Sequence, residues 1–290
     1  MLKHWFIASR PKTLVASFLP VVAGFLLAYE QSNSVSIETC LLCFFYCLLV
    51  QIGTNLANDY FDYVKGADFK RDNAPVRLVS SGFIKPRTMC TASCLVFLLS
   101  FILGIYIMES VVGSRYLVLV GIFSVLFGLG YTGGPFPLAY NGMGDIFVIL
   151  FFGFVAVLTT HYVTISSAGL NWKPNWLLPL GVGFVINNLL VINNYRDYEQ
   201  DREVSKNTIV VLLGKKFGLG MFLLGVLIST LLIPFLVPSA WPTIFLLPVG
   251  IYYFIRLPKA LTRKDYDQVL TASAVTVLGY SMCLLFGYLV

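Results

Sequence analysis

Charge is scarce in this sequence. Only 12% of its 290 residues are Asp, Glu, Lys or Arg, about half of the quarter that an ordinary soluble domain uses to solvate its surface. That shortage excludes a cytosolic α/β enzyme, and a hydrophobic fraction of 58% excludes a disordered chain. Histidine is scarcer still, with two residues, and none of the six cysteines forms a metal-type pair with either. Cys40, Cys43, Cys47, Cys90, Cys94 and Cys283 lie in apolar stretches or at their edges. They read as small hydrophobes packed between helices, and a secreted disulfide scaffold is excluded. What the chain has instead is apolar bulk: a mean hydropathy of +0.81, with 24 Phe, 16 Tyr and 4 Trp. It is an integral membrane protein by composition.

A helix needs about 20 apolar residues to cross the hydrocarbon layer. Uncharged stretches run from Thr13 to Tyr29, Thr39 to Asn58, Thr88 to Met108, Tyr116 to Gly144, Ile146 to Trp172 and Pro174 to Tyr195, with two more from Phe217 to Ile255 and Gln268 to Val290. The Phe217–Ile255 stretch is too long for one crossing, and Pro238-Ser239-Ala240-Trp241-Pro242 divides it. Nine spans result. With the N-terminus in the cytoplasm, this count places 18 of the 20 Lys and Arg on the inner side, leaving only Arg115 and Lys173 outside. That asymmetry is what the positive-inside rule requires.

The net charge of +6 is therefore a membrane-topology signal and points to no nucleic-acid partner. The first apolar run lacks a small-x-small cleavage site and carries Pro20, so it reads as a retained helix. Trp5 and Phe6 among Lys3, Arg10 and Lys12 predict an interfacial helix before it. The absence of an organelle transit signature points to a bacterial plasma (inner) membrane, with the N-terminus and the acidic loops cytoplasmic.

Acidic residues gather in two places. Asp59, Asp62, Asp68 and Asp72 follow the second span; Asp197, Glu199, Asp201 and Glu203 follow the sixth. Asparagines precede both groups: Asn55 and Asn58, then Asn187, Asn188, Asn193 and Asn194. Asn55, Asn58 and Asp62 stand at i, i+3, i+7, and so do Asn194, Asp197 and Asp201, so each trio is expected on one helical face. Polar faces at a membrane helix end need a partner or a wet cavity, and two similar ones suggest two pseudo-equivalent halves converging on one site. Carboxylates with amide oxygens suit a hard cation, Mg²⁺ before Zn²⁺. Lys65, Arg77, Arg196, Arg202 and Lys206 in the same loops suit phosphate oxygens. The combination predicts a diphosphate site.

The stretch Asn55-Leu-Ala-Asn58-Asp59-Tyr-Phe-Asp62-Tyr-Val-Lys65-Gly66-Ala-Asp68 resembles the first aspartate-rich motif of the UbiA-type membrane prenyltransferases. Asn193-Asn194-Tyr195-Arg196-Asp197-Tyr-Glu-Gln-Asp201-Arg202 resembles the second. Within that family the chain looks most like the 1,4-dihydroxy-2-naphthoate polyprenyltransferase branch of menaquinone synthesis. Ser9-Arg10-Pro11-Lys12-Thr13-Leu14, Tyr131-Thr132-Gly133-Gly134-Pro135 and Lys206 before Thr208 support that likeness. The chain departs from the branch at Ala74-Pro75-Val76-Arg77, where Gly-Pro-Leu-Arg is usual, at Asp145, where Glu is usual, and at Ser205, where Gly is usual.

The resemblance implies one all-α membrane domain over residues 1–290: a nine-transmembrane-helix bundle whose central cavity is capped by cytoplasmic loops, with motif 1 at 55–68 and motif 2 at 193–206. It implies transfer of a polyprenyl group from its diphosphate to the aromatic acceptor, with loss of carbon dioxide in this branch. Asp59, Asp62 and Asp68 would hold one Mg²⁺ and Asp197 and Asp201 another, with Asn58 and Asn194 helping. Arg77, Lys206, Arg196, Lys65 and Asn55 would attend the diphosphate, and Tyr131, Tyr195 or Tyr60 would face the allylic cation. Asp145 would activate or position the acceptor, or else simply favour a helix N-terminus. His161 is expected to be packed or hydrogen-bonded. The partners are thus a polyprenyl diphosphate, an aromatic acceptor and the lipid bilayer, with no obligate protein partner. Two other readings stay open: an acceptor such as 4-hydroxybenzoate or 1,4-dihydroxy-6-naphthoate, and a cation-coupled transporter using intramembrane Asp and Asn.

Overall fold

The short helix α1 (Leu2–Ala8) lies before the first long one, as the interfacial reading anticipates. In the computed structural model, which describes residues 2–33, 35–68, 77–109 and 115–290, long apolar helices follow in the expected order. They are α2 (Pro11–Ser32), α3 (Ile37–Val64), α4 (Pro86–Glu109), α5 (Leu117–Gly130), α6 (Gly144–Ser167) and α7 (Leu177–Arg196). Two short helices, α8 (Tyr198–Glu203) and α9 (Ile209–Leu213), then lead to α10 (Lys215–Leu236). A 3₁₀ run over Pro238–Leu246 precedes α11 (Leu247–Arg256), and α12 (Arg263–Leu289) completes the bundle. Among the described residues there is no strand, only an isolated bridge between Asn141 and Asn207.

The nine expected spans are met approximately. Among the described residues, eight candidate spans are long and apolar enough to cross a bilayer; the ninth, α5, has 14 residues. At 1.5 Å per residue its length is about 21 Å, short of the ~30 Å hydrocarbon core. The second half of the Tyr116–Gly144 stretch is not helical beyond Tyr131; it folds into turns and a 3₁₀ turn at Leu138–Tyr140. Glycines and prolines at 133–137 explain the break. The Pro238–Pro242 division falls as expected, within the 3₁₀ run.

Local chemistry sets several ends. Ser36 accepts from the Thr39 N–H at the start of α3, Thr208 from Val211 at the start of α9, and Thr262 and Asp265 form a reciprocal capping box on α12. Close helix approach relies on small residues. A Cβ on Gly24 of α2 would lie 2.5 Å from the Val157 carbonyl oxygen of α6, and one on Gly153 of α6 would lie 2.5 Å from the Pro179 carbonyl oxygen of α7. Widened π turns over Ile149–Ala156 interrupt α6 beside that second crossing. α7 is the central helix: Leu178, Val182, Ile186, Val191 and Ile192 are all but inaccessible, so its asparagines are carried into the interior. Leu95, Leu98, Leu99 and Ile102 on α4 face outward, as a lipid-facing surface should.

Candidate functional site

Both acidic groups sit where helices end. Asn55, Asn58, Asp59 and Asp62 occupy the last turns of α3 and all are buried. Their counterparts Asn194, Asp197 and Asp201 are buried too, but not on one continuous helix: α7 stops at Arg196, and Asp197 breaks it before α8 begins. The Asp197 N–H still donates to Asn193 and the Asp201 N–H to Asp197, so a helical succession of bonds carries the trio inward despite the break.

The two groups meet at one cavity of about 360 Å³, lined by Asn58, Asp59, Asp62, Arg77, Tyr131, Asp145, Asn194, Arg196, Asp197 and Lys206. Asp68 and Asp201 stand behind this wall, each held by a basic residue. Arg77 joins Asp62 (3.0 Å) to Asp68 (3.4 Å), Arg196 clasps Asp197 at 2.6 and 2.8 Å, and Lys206 approaches Asp201 at 3.7 Å. The acids and the bases expected around a diphosphate are thus bonded to one another. Arg77 Nη1 and Arg196 Nη1 are buried with no hydrogen-bond partner, which leaves each guanidinium a donor for an incoming anion.

The remaining expected residues separate by position. Both carboxylate oxygens of Asp59 accept backbone N–H groups, from Leu78 at 3.2 Å and Val79 at 3.5 Å, so Asp59 anchors the segment that carries Arg77. Asn55 donates to the Ser9 carbonyl at 2.8 Å and fixes the α1–α2 link. Asn58 accepts from the Thr132 hydroxyl at 2.7 Å. Asp145 is buried at the start of α6 and accepts from Asn187 of α7 at 3.1 Å. Tyr131 lines the cavity, whereas Tyr60 packs against the α1–α4 cluster and Tyr195 against the main core. Burial, with the Asp145 and Asp62 carboxylates nearby, raises the Tyr131 phenol above its usual range, so it stays a proton-bearing donor. His161 bonds Gln31 at 3.1 Å and meets the edge of Trp172, as a packed histidine does. Asp72 and Ala74-Pro75-Val76 lie outside the described residues.

Three residues escape a reading of the sequence alone. Tyr140 donates its hydroxyl to Asp62 at 2.8 Å, while Lys65 and Lys206 sit 4.5 and 5.4 Å from its ring centroid. It therefore ties the first motif to the second, helped by the Asn207 N–H donating to its carbonyl. Burial lowers Lys65 while Asp62 opposes that shift. Arg10 lines the cavity from a left-handed backbone, φ 54°, a conformation unusual enough for a non-glycine to mark a site. Asn187 holds Asp145. No local periodicity singles out Tyr140 or Asn187; for Arg10, the motif around Pro11 was the available signal. The departure at Ser205 has a local explanation: its φ is 54°, the region glycine enters freely and other residues enter at a cost of about 1 kcal/mol.

Below the cavity two further cavities, about 190 and 130 Å³, continue through the bundle. Arg10, Asn58, Tyr131 and Asn193 are common to the first and second, and Val50, Gln51, Phe151 and Phe152 to the second and third. The walls become apolar with depth, so an apolar chain attached to an anionic head fits the whole track.

The residues suit a divalent cation. All donors are oxygen, and among the described residues no three acidic, histidine or thiol groups cluster closely enough to hold an ion alone. Carboxylate and amide oxygens of this kind are the donors a hard divalent cation takes, completed by water or substrate oxygens.

Comparison with known proteins agrees with this architecture. Residues 17–282 match the UbiA prenyltransferase family. The 1,4-dihydroxy-2-naphthoate octaprenyltransferase of Bacillus subtilis is 31% identical over 72% of this chain and 65% of its own length, so the match falls just short of two thirds of that relative. The enzyme of the same name from Escherichia coli is 35% identical over 73% of this chain and 68% of its own. A UbiA homologue from Archaeoglobus fulgidus, solved with GPP and Mg²⁺, superposes with a TM-score of 0.67 over 99% of both chains at 15% identity, a likeness of fold. This multi-pass membrane protein belongs to the UbiA prenyltransferase family.

Proposed function

We propose that the protein transfers a polyprenyl group from polyprenyl diphosphate to 1,4-dihydroxy-2-naphthoate, with decarboxylation, giving demethylmenaquinol. The observation that carries this reading is the convergence of two Asp/Asn faces and six basic residues, Arg77, Arg196 and Lys206 among them, on one cavity that continues into an apolar track. The naphthoate acceptor is the substrate named for the Bacillus subtilis and Escherichia coli relatives.

Arg77, Arg196 and Lys206 leave their carboxylate partners for the diphosphate oxygens, with Lys65 held nearby over Tyr140. Asp62, Asp68, Asp197 and Asp201, with Asn58 and Asn194, would then hold the divalent cation. When bound, that ion neutralises charge on the departing diphosphate. The bond between the allylic carbon and diphosphate oxygen breaks with its electron pair on oxygen, and the basic side chains, once turned from their carboxylate partners to the diphosphate, stabilise the leaving group. The Tyr131 ring lines the cavity, and an allylic cation formed against it would gain about 2 kcal/mol when desolvated. Asp145, oriented by Asn187, positions the acceptor hydroxyl. The ring carbon bearing the carboxylate forms the new C–C bond, and carbon dioxide leaves by returning its bonding pair to the ring. The tail lies along the track below, which opens the reaction to a lipid-soluble donor while its head meets the polar loops. The matching motifs at 55–68 and 193–206 act as two halves of one site, on the cytoplasmic face of a bacterial inner membrane. The Lys/Arg asymmetry supports that orientation.

The test offers purified protein, with Mg²⁺ and an allylic polyprenyl diphosphate, a mixture of 1,4-dihydroxy-2-naphthoate, its 6-carboxy isomer and 4-hydroxybenzoate. A decarboxylated prenyl-naphthoquinone, detected by mass and absent after chelation, is expected. Prenylated 4-hydroxybenzoate would replace the acceptor, and no product from folded protein would overturn the enzyme reading.

A further inference from the structure

The last two membrane helices form a wedge. At the end remote from the site α12 touches the 3₁₀ run that leads into α11: Gly279 lies against Leu246, and Gly287 lies so close to Ser239 and Pro242 that a Cβ there would sit 2.8 Å from the Pro242 Cδ. Toward the site end the two helices part around a groove of about 1090 Å³ between α11 and α12. The groove runs from Arg263 to Gly279 along α12, about 24 Å at 1.5 Å per residue. One leaflet of hydrocarbon is about 15 Å deep, so a headgroup and an acyl chain fit along it. Leu246, Val249, Ala272, Val275 and Gly279 give its wall apolar or small residues, with Gln268, Thr271 and Thr276 among them. Four basic residues, Arg256, Lys259, Arg263 and Lys264, rim the wide end.

The rim acids Asp265 and Asp267 offset two of those four positive charges and leave the rim with a formal +2, and both carboxylates are engaged elsewhere. Asp265 accepts from the Leu261 and Thr262 N–H groups and the Thr262 hydroxyl, so its carboxylate is committed to the α12 cap. Asp267 pairs with Lys12 across to α2 at 3.4 Å. Arg256 donates to the Tyr252 hydroxyl at 3.0 Å and lies over that ring, which extends the guanidinium along the groove edge with its other donors free to turn outward. In a bilayer this cleft faces hydrocarbon, and the Thr271 and Thr276 hydroxyls on its wall already donate to carbonyls of their own helix, Asp267 and Ala272. Acyl chains are therefore required along Leu246–Val275, and the four cations select the headgroup.

We propose that this groove is a specific binding site for an anionic glycerophospholipid: one acyl chain lies between α11 and α12, and its phosphate is bound by Arg256, Lys259 and Lys264. The site is separate from the catalytic cavity. Arg263 and Asp267 line both and form the partition between them.

The experiment titrates the detergent-purified full chain with phosphatidylglycerol or phosphatidylcholine and counts bound lipid by native mass spectrometry. Phosphatidylglycerol is expected to be retained preferentially. The combined substitution Arg256→Gln, Lys259→Gln, Lys264→Gln, which leaves Arg263 intact, should weaken that retention about tenfold or more, to the level of phosphatidylcholine. A second variant, Val275→Trp, keeps every cation and fills the groove, and should have the same effect. A charge-matched control, Lys85→Gln, Arg87→Gln, Lys216→Gln, should retain the lipid. Equal binding of both lipids by the wild type, unchanged retention in the first variant, or equal loss in the control would overturn the proposal. So would displacement by soluble glycerophosphate, which would make the rim a phosphate site without the lipid.

Discussion

Tyr140 offers the sharpest perturbation, because one side chain joins groups from both acidic loops. Tyr140→Phe removes one hydrogen bond, the 2.8 Å donation to Asp62, and leaves the ring under Lys65 and Lys206. A hydrogen bond to a charged group is worth about 1.5–3 kcal/mol, so kcat/KM for the prenyl diphosphate should fall roughly ten- to a hundredfold. Tyr140→Leu also removes the ring. Two cation–π contacts at about 1 kcal/mol each predict a further loss of roughly thirtyfold. The assay is initial-rate prenylation in detergent or nanodiscs over a range of donor concentrations, with thermal unfolding of each variant to confirm folding. A folded leucine variant within twofold of the wild type would refute the linkage of the two loops through Tyr140. Equal losses for Phe and Leu would show that the hydroxyl alone matters and that the ring has no hold on the two lysines.

Other consequences are simpler. Asp201→Asn removes the charge that holds Lys206 at 3.7 Å and should abolish turnover while leaving the helical circular-dichroism signal intact; full activity would remove Asp201 from the site. Asp59→Ala leaves the buried Leu78 and Val79 N–H groups without their acceptor, and thermal unfolding should report a loss of about 2–4 kcal/mol. Gly24→Leu drives a side chain into Val157 and Thr160, so the yield of folded protein, read by size-exclusion chromatography, should collapse. Burial lowers Lys65 from the ordinary lysine value, so its charge is lost, as pH rises, earlier than for an unperturbed lysine. Donor affinity should weaken along that alkaline limb, and Lys65→Arg, which stays charged, should flatten it. The stability sign is opposite: the unfolded chain retains that proton to higher pH, so this group's contribution grows as pH passes the lowered value.

Membrane residence, the approximate set of spans and the two acidic loops were legible in the one-dimensional pattern. Hydrocarbon thickness sets a minimum apolar run, and the scarcity of charge makes each cluster conspicuous. The i, i+3, i+7 spacing of Asn55, Asn58 and Asp62 likewise specified a shared face, because helical geometry depends only on residue separation. Tertiary structure decided what each of those polar groups is bonded to. Asp59 and Asp62 are three residues apart, yet one holds the backbone at Leu78 and Val79 while the other meets Arg77 and Tyr140. The choice rests on segments that fold back from 15 to 78 residues away, and no local period encodes them. The same holds for Asn187 on Asp145. α7 is central and carries Asn187 into the interior, where the packing of α6 brings Asp145 within reach of its amide. The break at Asp197 and the short α5 belong to this second class. Turn chemistry and neighbouring helices overrode the simple continuation of a hydrophobic or polar period.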